Sequence, residues 1–360
     1  MMETPFENRL GSARKVIDSS PVDGILFTSL ENIRYLSGFT GSDGALVVTP
    51  GESFFLTDSR YWTQADGEVK GSRIVHYKKK LDEIASLMLD LKMKSIGFES
   101  SSLPFSLYRS LSEKVAPKAA LVPLEKELKN LRAVKDAQEL ALIRKTIEIA
   151  SGSFLHAMGK MKEGVPEGEI AFEMEWFMKR HEAEGLGFDI IVASGKRSAL
   201  PHGKAGTKRI ERGDFVLIDY GACFQGYHSD ETCTVVLGRP SPEQEKIYRI
   251  VKEAHDQAIE RVRPGIPVQE IDRAAREHIR QSGHGEYFGH STGHGVGLAV
   301  HEDPAVNSEN KDLLQEGMVF TVEPGIYIPG WGGVRIEDMV LVTSQGAEIL
   351  TPLPKELRER

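Results

Sequence analysis

At 360 residues the chain is long for one hydrophobic core, and its 40% apolar and 27% charged residues exclude a fibrous or wholly disordered protein. The net charge of −8 comes without a basic stripe, which argues against a nucleic-acid partner. No apolar run reaches the roughly 18 to 20 residues that span a bilayer, and MMETPFENRL lacks a basic start and an apolar signal core, so no membrane partner and a cytoplasmic location are expected.

The first third alternates short apolar runs with turn residues. GILFTS, GALVVT and SFFLTD read as strands, the stretch from Leu81 to Lys94 has helical spacing, and Lys78, Lys79 and Lys80 read as a solvated strand end. LEKELKNLRAVKDAQE, polar and without strand signals, marks a boundary near residues 124 to 135, giving a smaller α/β domain over 1–127 and a larger one over 128–360. After Asp136, apolar residues recur at three- and four-residue steps through ELALIRKTIEIA, and a second helical stretch, EIAFEMEWFMKRHEAEG, is expected to end at Gly185.

Strands follow at FDIIVAS, DFVLIDYG and TCTVVLG, then helices over PEQEKIYRIVKEAHDQAIERV and VQEIDRAAREHIRQSG, then strands again in GMVFTVEPGIYI and GGVRIEDMVLVT. Helix pairs and strand pairs alternate twice, the pattern of an internally duplicated α+β domain with one sheet covered by helices. Cys223 and Cys233 form no CxxC and no disulfide framework, and read as two small thiols.

The strongest local signal is DYGACFQGYHSD. A hairpin turning about Phe224 and Gln225, with Gly226 supplying turn geometry, sets Asp219 directly opposite Asp230, where facing Cβ atoms lie roughly 4.5 to 5.5 Å apart. Two carboxylates that close repel unless a cation sits between them. Glu323 closes the apolar run MVFTV, and Glu337 sits inside VRIEDMVLV, a stretch otherwise suited to burial, although acids are rarely buried without a partner. His294 lies in GHGVG, whose glycines let the backbone pass close to a site and leave the imidazole room to point in. Four carboxylates and one imidazole carry a charge of about −4, which two divalent ions neutralise.

With these residues in view the chain resembles the pita-bread metallopeptidases, in the Xaa-Pro peptidase branch that holds prolidases (Xaa-Pro dipeptidases) and Xaa-Pro aminopeptidases. In the C-terminal domain the resemblance rests on FDIIVASG, ALPHG, DYG, GYHSDET, HSTGHGVGLAVHE, TVEPGIYI and GGVRIED in family order; NIRYLSGFTGSDG resembles the creatinase-like N-terminal domain. The resemblance implies that Asp219 binds one metal, that His294 and Glu323 bind the other, and that Asp230 and Glu337 bridge both, with a hydroxide shared between the ions as nucleophile and Glu323 shuttling the proton.

It further implies that His202, His290 and His301 bind substrate, that His202 and His301 also steady the tetrahedral intermediate, and that Arg335 orients a ligand carboxylate. His228, beside Asp230, has no such role. Two divalent ions, manganese or cobalt with zinc and iron as alternatives, a peptide substrate with proline second, and a homodimer are likewise what the branch implies. One departure stands out. Many relatives carry an arginine after the His-Glu-x-Pro turn as a partner for a substrate carboxylate, whereas this chain has Ala305 there, which favours longer peptides over dipeptides alone. The alternatives are a methionine aminopeptidase, which uses the same ligand types, a creatinase-type hydrolase without the metal set, and a non-catalytic peptide-binding module. The complete ligand set speaks against the last two.

Overall fold

A computed structural model describes residues 5–360, and the chain divides into two compact units between Arg132 and Ala133. The N-terminal unit is built on a six-stranded sheet in the order Arg73–His76, Ser53–Thr57, Ala45–Val48, Gly24–Phe27, Ser95–Glu99, Ala120–Leu124. The middle strands form an antiparallel meander, while both outer pairings and the join of Gly24–Phe27 to Ser95–Glu99 are parallel. Parallel joins need crossovers, and helices supply them. Helix Lys80–Asp90 turns Ile84, Ala85 and Met88 onto the sheet against Leu56, Ile96 and Leu111. The isoleucine and the methionine each contribute roughly 1.5 to 3 kcal/mol when fully taken from water. The helix ends at Asp90, short of the expected Lys94, because Lys92 takes a left-handed turn with φ of 57° into the next strand. Lys80 opens this helix and pairs with Asp43 at 2.5 Å, so the lysine run does more than fray at a strand end.

The C-terminal unit repeats one pattern twice. Helices Ala137–Lys160 and Glu167–Arg180 precede the antiparallel ladder Glu231–Val236, Phe215–Tyr220, Ile191–Ser194. Helices Pro242–Arg261 and Gln269–Gln281 precede a five-stranded ladder in the order Glu302–Val306, Gly293–Gly295, Val319–Val322, Asp338–Thr343, Gly346–Ile349. Capping boxes start the longest helices, Asp136 with Glu139 and Ser241 with Gln244, each satisfying two N-terminal amides that would otherwise lack partners. Helix Glu167–Arg180 stops five residues before Gly185: His181 folds its ring onto the Phe177 carbonyl at 2.8 Å and Glu182 takes φ of 71°, which leaves Gly185 in a two-residue strand.

The single sheet expected from the sequence is divided into four ladders. Their seam runs beside strand Glu231–Val236, where the Glu337 amide donates to the Thr232 carbonyl at 3.2 Å and Thr234 exchanges hydrogen bonds with the Arg335 backbone at 2.9 and 3.2 Å. Apolar clusters lie under each helix pair. Ile149, Phe154, Met174 and Tyr220 belong to the first, and Ile247, Val251, Ile271 and Phe320 to the second. The acids of the next section therefore stand on strands pinned from behind by packed helices.

Candidate metal centre

The hairpin of Phe215–Tyr220 with Glu231–Val236 turns at Gln225 and Gly226, whose φ values of 45° and 70° suit the type I′ loop that closes a two-residue hairpin. This tip lies one residue later than the turn about Phe224 and Gln225. The register shifts accordingly, and Asp219 stands opposite Thr232 instead of Asp230. Asp230, two residues nearer the tip than Thr232, is a diagonal neighbour on the same sheet face. Cys223 pairs with His228 and Cys233 with Ile218, so the thiols are not opposite each other, and neither is in a disulfide.

Glu323 and Glu337 occupy matching breaks in two strands. Val319–Val322 runs to Asp338–Thr343 with Val322 opposite Asp338, and Gly325–Ile328 runs to Gly332–Arg335 with Gly325 opposite Arg335. The same register through the gap sets Glu323 across from Glu337. Glu337 is thus at a junction between strands and not inside one. Freed from the ladder, the Glu323 amide bonds the Thr292 carbonyl at 2.7 Å.

His294 comes from the middle of strand Gly293–Gly295, not from a loop. Its flanking glycines are needed because neighbouring backbones pass where side chains would begin: a Cβ on Gly293 would lie 1.9 Å from the Thr321 carbonyl oxygen, and one on Gly295 2.2 Å from that of Asp303. The ring's Nδ1 faces the Gly295 carbonyl at 3.1 Å, and a carbonyl only accepts, so the proton sits on Nδ1. Burial, then the neighbouring His301, hold this imidazole's pKa down at about 4, so at neutral pH Nε2 carries a lone pair. That lone pair points at two acids, Asp230 Oδ2 and Glu323 Oε1, each 3.5 Å away. Lone pairs aimed at carboxylates repel unless a cation lies between them.

Donor atoms of Asp230, His294 and Glu337 all lie within 4.8 Å of one another, a spacing that one ion can span. Burial first, and then repulsion from Glu337 for Asp230 and from Glu323 for Glu337, push both carboxyls well above the usual range. Burial lifts Glu323 to about 7. Asp219 stands apart from the triad. Its Oδ2 receives Arg335 Nη2 at 2.5 Å, while its buried Oδ1 has no hydrogen-bond partner among the described residues. An orphaned buried oxygen, three acids held above their ordinary range and an imidazole lone pair facing them form a donor set that fits divalent cations. With Arg335 counted, four carboxylates leave a charge of about −3, more than a single divalent ion neutralises.

Arg335, 3% exposed, is fully engaged: Nε donates to Thr232 Oγ1 at 3.0 Å, and Nη1 to the Tyr327 hydroxyl at 2.9 Å and the Pro201 carbonyl at 3.1 Å. Thr232 in turn donates to Glu337 Oε2 at 2.7 Å, so one guanidinium braces acids from both halves of the unit. Tyr327 also meets His290 Nε2 at 2.9 Å, and His290 Nδ1 meets the Ser291 carbonyl at 2.7 Å, so both ring nitrogens are engaged. Burial lowers the His290 pKa to about 4. Sequence reasoning missed Thr232 and Tyr327. The only available hint is that a buried tyrosine hydroxyl requires a partner.

These groups open onto a cavity of about 540 Å³. Asp219, Asp230, His294, Glu323, Arg335 and Glu337 form its floor, and His202, His290 and His301 also line it. The His301 ring centroid lies 4.1 Å from that of His294. Phe188, Ile191, Val300 and Ala305 give the cavity an apolar wall. Ala305 leaves no cation at the position where an arginine would clamp a carboxylate. His228 bonds the Gly297 carbonyl and serves the loop.

Comparison with known proteins matches residues 141–344 to metallopeptidase family M24 and residues 9–134 to the creatinase/prolidase N-terminal domain. An Xaa-Pro dipeptidase of Pyrococcus horikoshii is 42% identical over 341 residues, covering 95% of this chain and 96% of that one. Among solved structures, the Xaa-Pro dipeptidase from Bacillus anthracis superposes with a TM-score of 0.94 at 41% identity, covering 98% of this chain and 99% of that one. The X-Pro aminopeptidase from Thermotoga maritima gives 0.87 at 40% identity, with 95% and 99% covered.

Proposed function

This chain belongs to metallopeptidase family M24, and from that premise we propose that it hydrolyses the peptide bond between an N-terminal residue and a following proline. The observation that carries the reading is the convergence of Asp219, Asp230, His294, Glu323 and Glu337 at the floor of one cavity, in a chain about 40% identical over its length to Xaa-Pro peptidases of both kinds. These five residues would hold two divalent cations. The oxygen-rich set with one imidazole suits manganese or cobalt. Such a pair supplies Lewis-acid activation of a water and of the scissile carbonyl.

The chain's own residues supply the rest. Glu323, opening onto the cavity beside His294, takes a proton from the attacking water and returns it to the leaving nitrogen. His202 and His301 are the donors toward the substrate carbonyl as negative charge grows on it. His290, tied at both nitrogens, holds Tyr327 and through it Arg335 and Asp219. A proline amide has no N–H and a fixed φ, so an apolar wall such as Phe188, Ile191 and Val300 selects the ring by shape.

With Ala305 in place of that arginine, and only the exposed Lys204 as a further cation at the cavity wall, the enzyme accepts Xaa-Pro tripeptides at least as well as Xaa-Pro dipeptides. Metal-stripped protein restored with manganese and assayed on Ala-Pro, Ala-Pro-Ala and Met-Ala-Ser tests both points. Release from the two proline peptides alone supports the reading, whereas cleavage confined to Met-Ala-Ser moves the chain to methionine aminopeptidase chemistry. Ala305→Arg is expected to lower KM for Ala-Pro about tenfold, worth about 1.4 kcal/mol, and to leave kcat for Ala-Pro-Ala within a factor of about three. An unchanged ratio of the two substrates would remove Ala305 from the specificity argument.

A further inference from the structure

On a strand, successive side chains point to opposite faces. Asp230 and Glu337 face the cavity, so the residues that follow them, Glu231 and Asp338, point behind the seam. Both are buried, at 1% and 2% exposure, and neither is a ligand candidate. Lys355, itself only 7% exposed, comes between them: its Nζ bonds Glu231 Oε1 and lies 3.3 Å from Asp338 Oδ1. Further polar groups surround both acids. Tyr220 donates to Glu231 Oε2 at 2.9 Å and Ser151 to the same oxygen at 3.3 Å, while Thr351 donates to Asp338 Oδ1 at 2.5 Å and His255 Nε2 stands 3.1 Å from Asp338 Oδ2.

One backbone group at this seam lacks a ladder partner. The Asp230 amide finds only the thioether of Met339, at 3.3 Å, in place of a carbonyl. The segment that carries Lys355 is itself laid along the edge strand, Val236 donating to the Arg358 carbonyl at 3.1 Å and Arg360 to the Val236 carbonyl at 2.9 Å. Two acids thus share a cation on the rear of the seam as two acids share the donor set on its front.

We infer that Lys355 is a positioning residue of the metal centre: by joining Glu231 to Asp338 from behind, it fixes the spacing of Asp230 and Glu337 in front. The inference rests on the metal-centre reading above. Groups that orient ligands in this way typically govern metal affinity by about 10- to 100-fold. Lys355→Met keeps the apolar stem out to the ε position and removes the ammonium. With the fold intact by circular dichroism, it is expected to bind the manganese pair at least about tenfold more weakly by calorimetry. The exchange-coupled electron paramagnetic resonance signal of the pair should give way to that of isolated ions, and kcat should fall while KM stays within a factor of about two.

Lys355→Arg, which keeps the charge, should recover part of the affinity. If Lys355→Met does not fold, Glu231→Gln with Lys355→Met removes one buried charge of each sign and is read in the same way. A folded variant with wild-type manganese affinity, coupled signal and kcat overturns the inference, even if its metal-free form melts lower, because a merely structural lysine predicts that result. Wild-type protein that binds no manganese pair would overturn the metal-centre reading and this inference together; wild-type binding with an indifferent variant would overturn this inference alone.

Discussion

Glu323→Gln is expected to lower kcat for Xaa-Pro hydrolysis by about 10³-fold, within the 10²- to 10⁴-fold range that a positioned acid–base group contributes. Glutamine keeps the shape of the side chain and an oxygen toward His294, but it cannot hold a proton between water and leaving nitrogen. The position suits that role physically. The side chain opens onto the cavity, its Oε1 lies 3.5 Å from His294 Nε2, and the Thr321 hydroxyl, 3.4 Å away, holds the same oxygen in place. Steady-state kinetics at saturating manganese, with metal content measured on the same sample, check this. A variant that keeps both ions and more than about a tenth of wild-type kcat would assign the proton to another group.

Removal of metal has the next largest effect, and its size depends on pH in a defined direction. Glu323 has a folded-state pKa near 7 against 4.5 for an ordinary glutamate, so its contribution to stability is fully present below about 4.5 and is lost as pH rises through about 7. Asp230 and Glu337, raised in the same direction by burial and mutual repulsion, act with the same sign. Metal-free protein should therefore melt progressively lower between pH 5 and pH 8. Divalent cations reverse the effect by binding the charged form. At a thousandfold excess over Kd they stabilise by about 4 kcal/mol, on the order of 10 °C in Tm for a unit of this size. The gap between manganese-loaded and metal-free melting curves is expected to widen from pH 5 to pH 8. A constant or narrowing gap would mean that the acids are not the groups that hold the ions.

The residue types and their order along the chain were legible because chemistry constrains them: acids in apolar surroundings need a reason, and four of them with one histidine, in one order, converge at one cavity. The double alternation of helix pairs and strands was equally visible from periodicity. Register was not. A single residue's difference in the position of the hairpin tip decides whether Asp219 faces Asp230 or Thr232, and only the paired positive φ values of Gln225 and Gly226 settle it. The glycines beside His294 read as places of close backbone approach, but sequence does not show which carbonyls pass where their Cβ atoms would be. Glu337 read as a strand interior because the break at Ile336 is created by the crossing of strand Glu231–Val236, a contact between the two halves of the unit. The bracing groups Thr232, Tyr327 and Lys355 are ordinary residue types whose importance comes only from their neighbours.

The central claim, that the acids and His294 hold a pair of divalent ions on which Xaa-Pro hydrolysis depends, is tested most directly by titrating metal-free protein with manganese while following release of proline from Ala-Pro and of Pro-Ala from Ala-Pro-Ala. Turnover is expected to be absent without metal and to rise to a plateau at two ions per chain. Full hydrolysis by the metal-free protein, or a saturated protein that cleaves neither peptide, would contradict it.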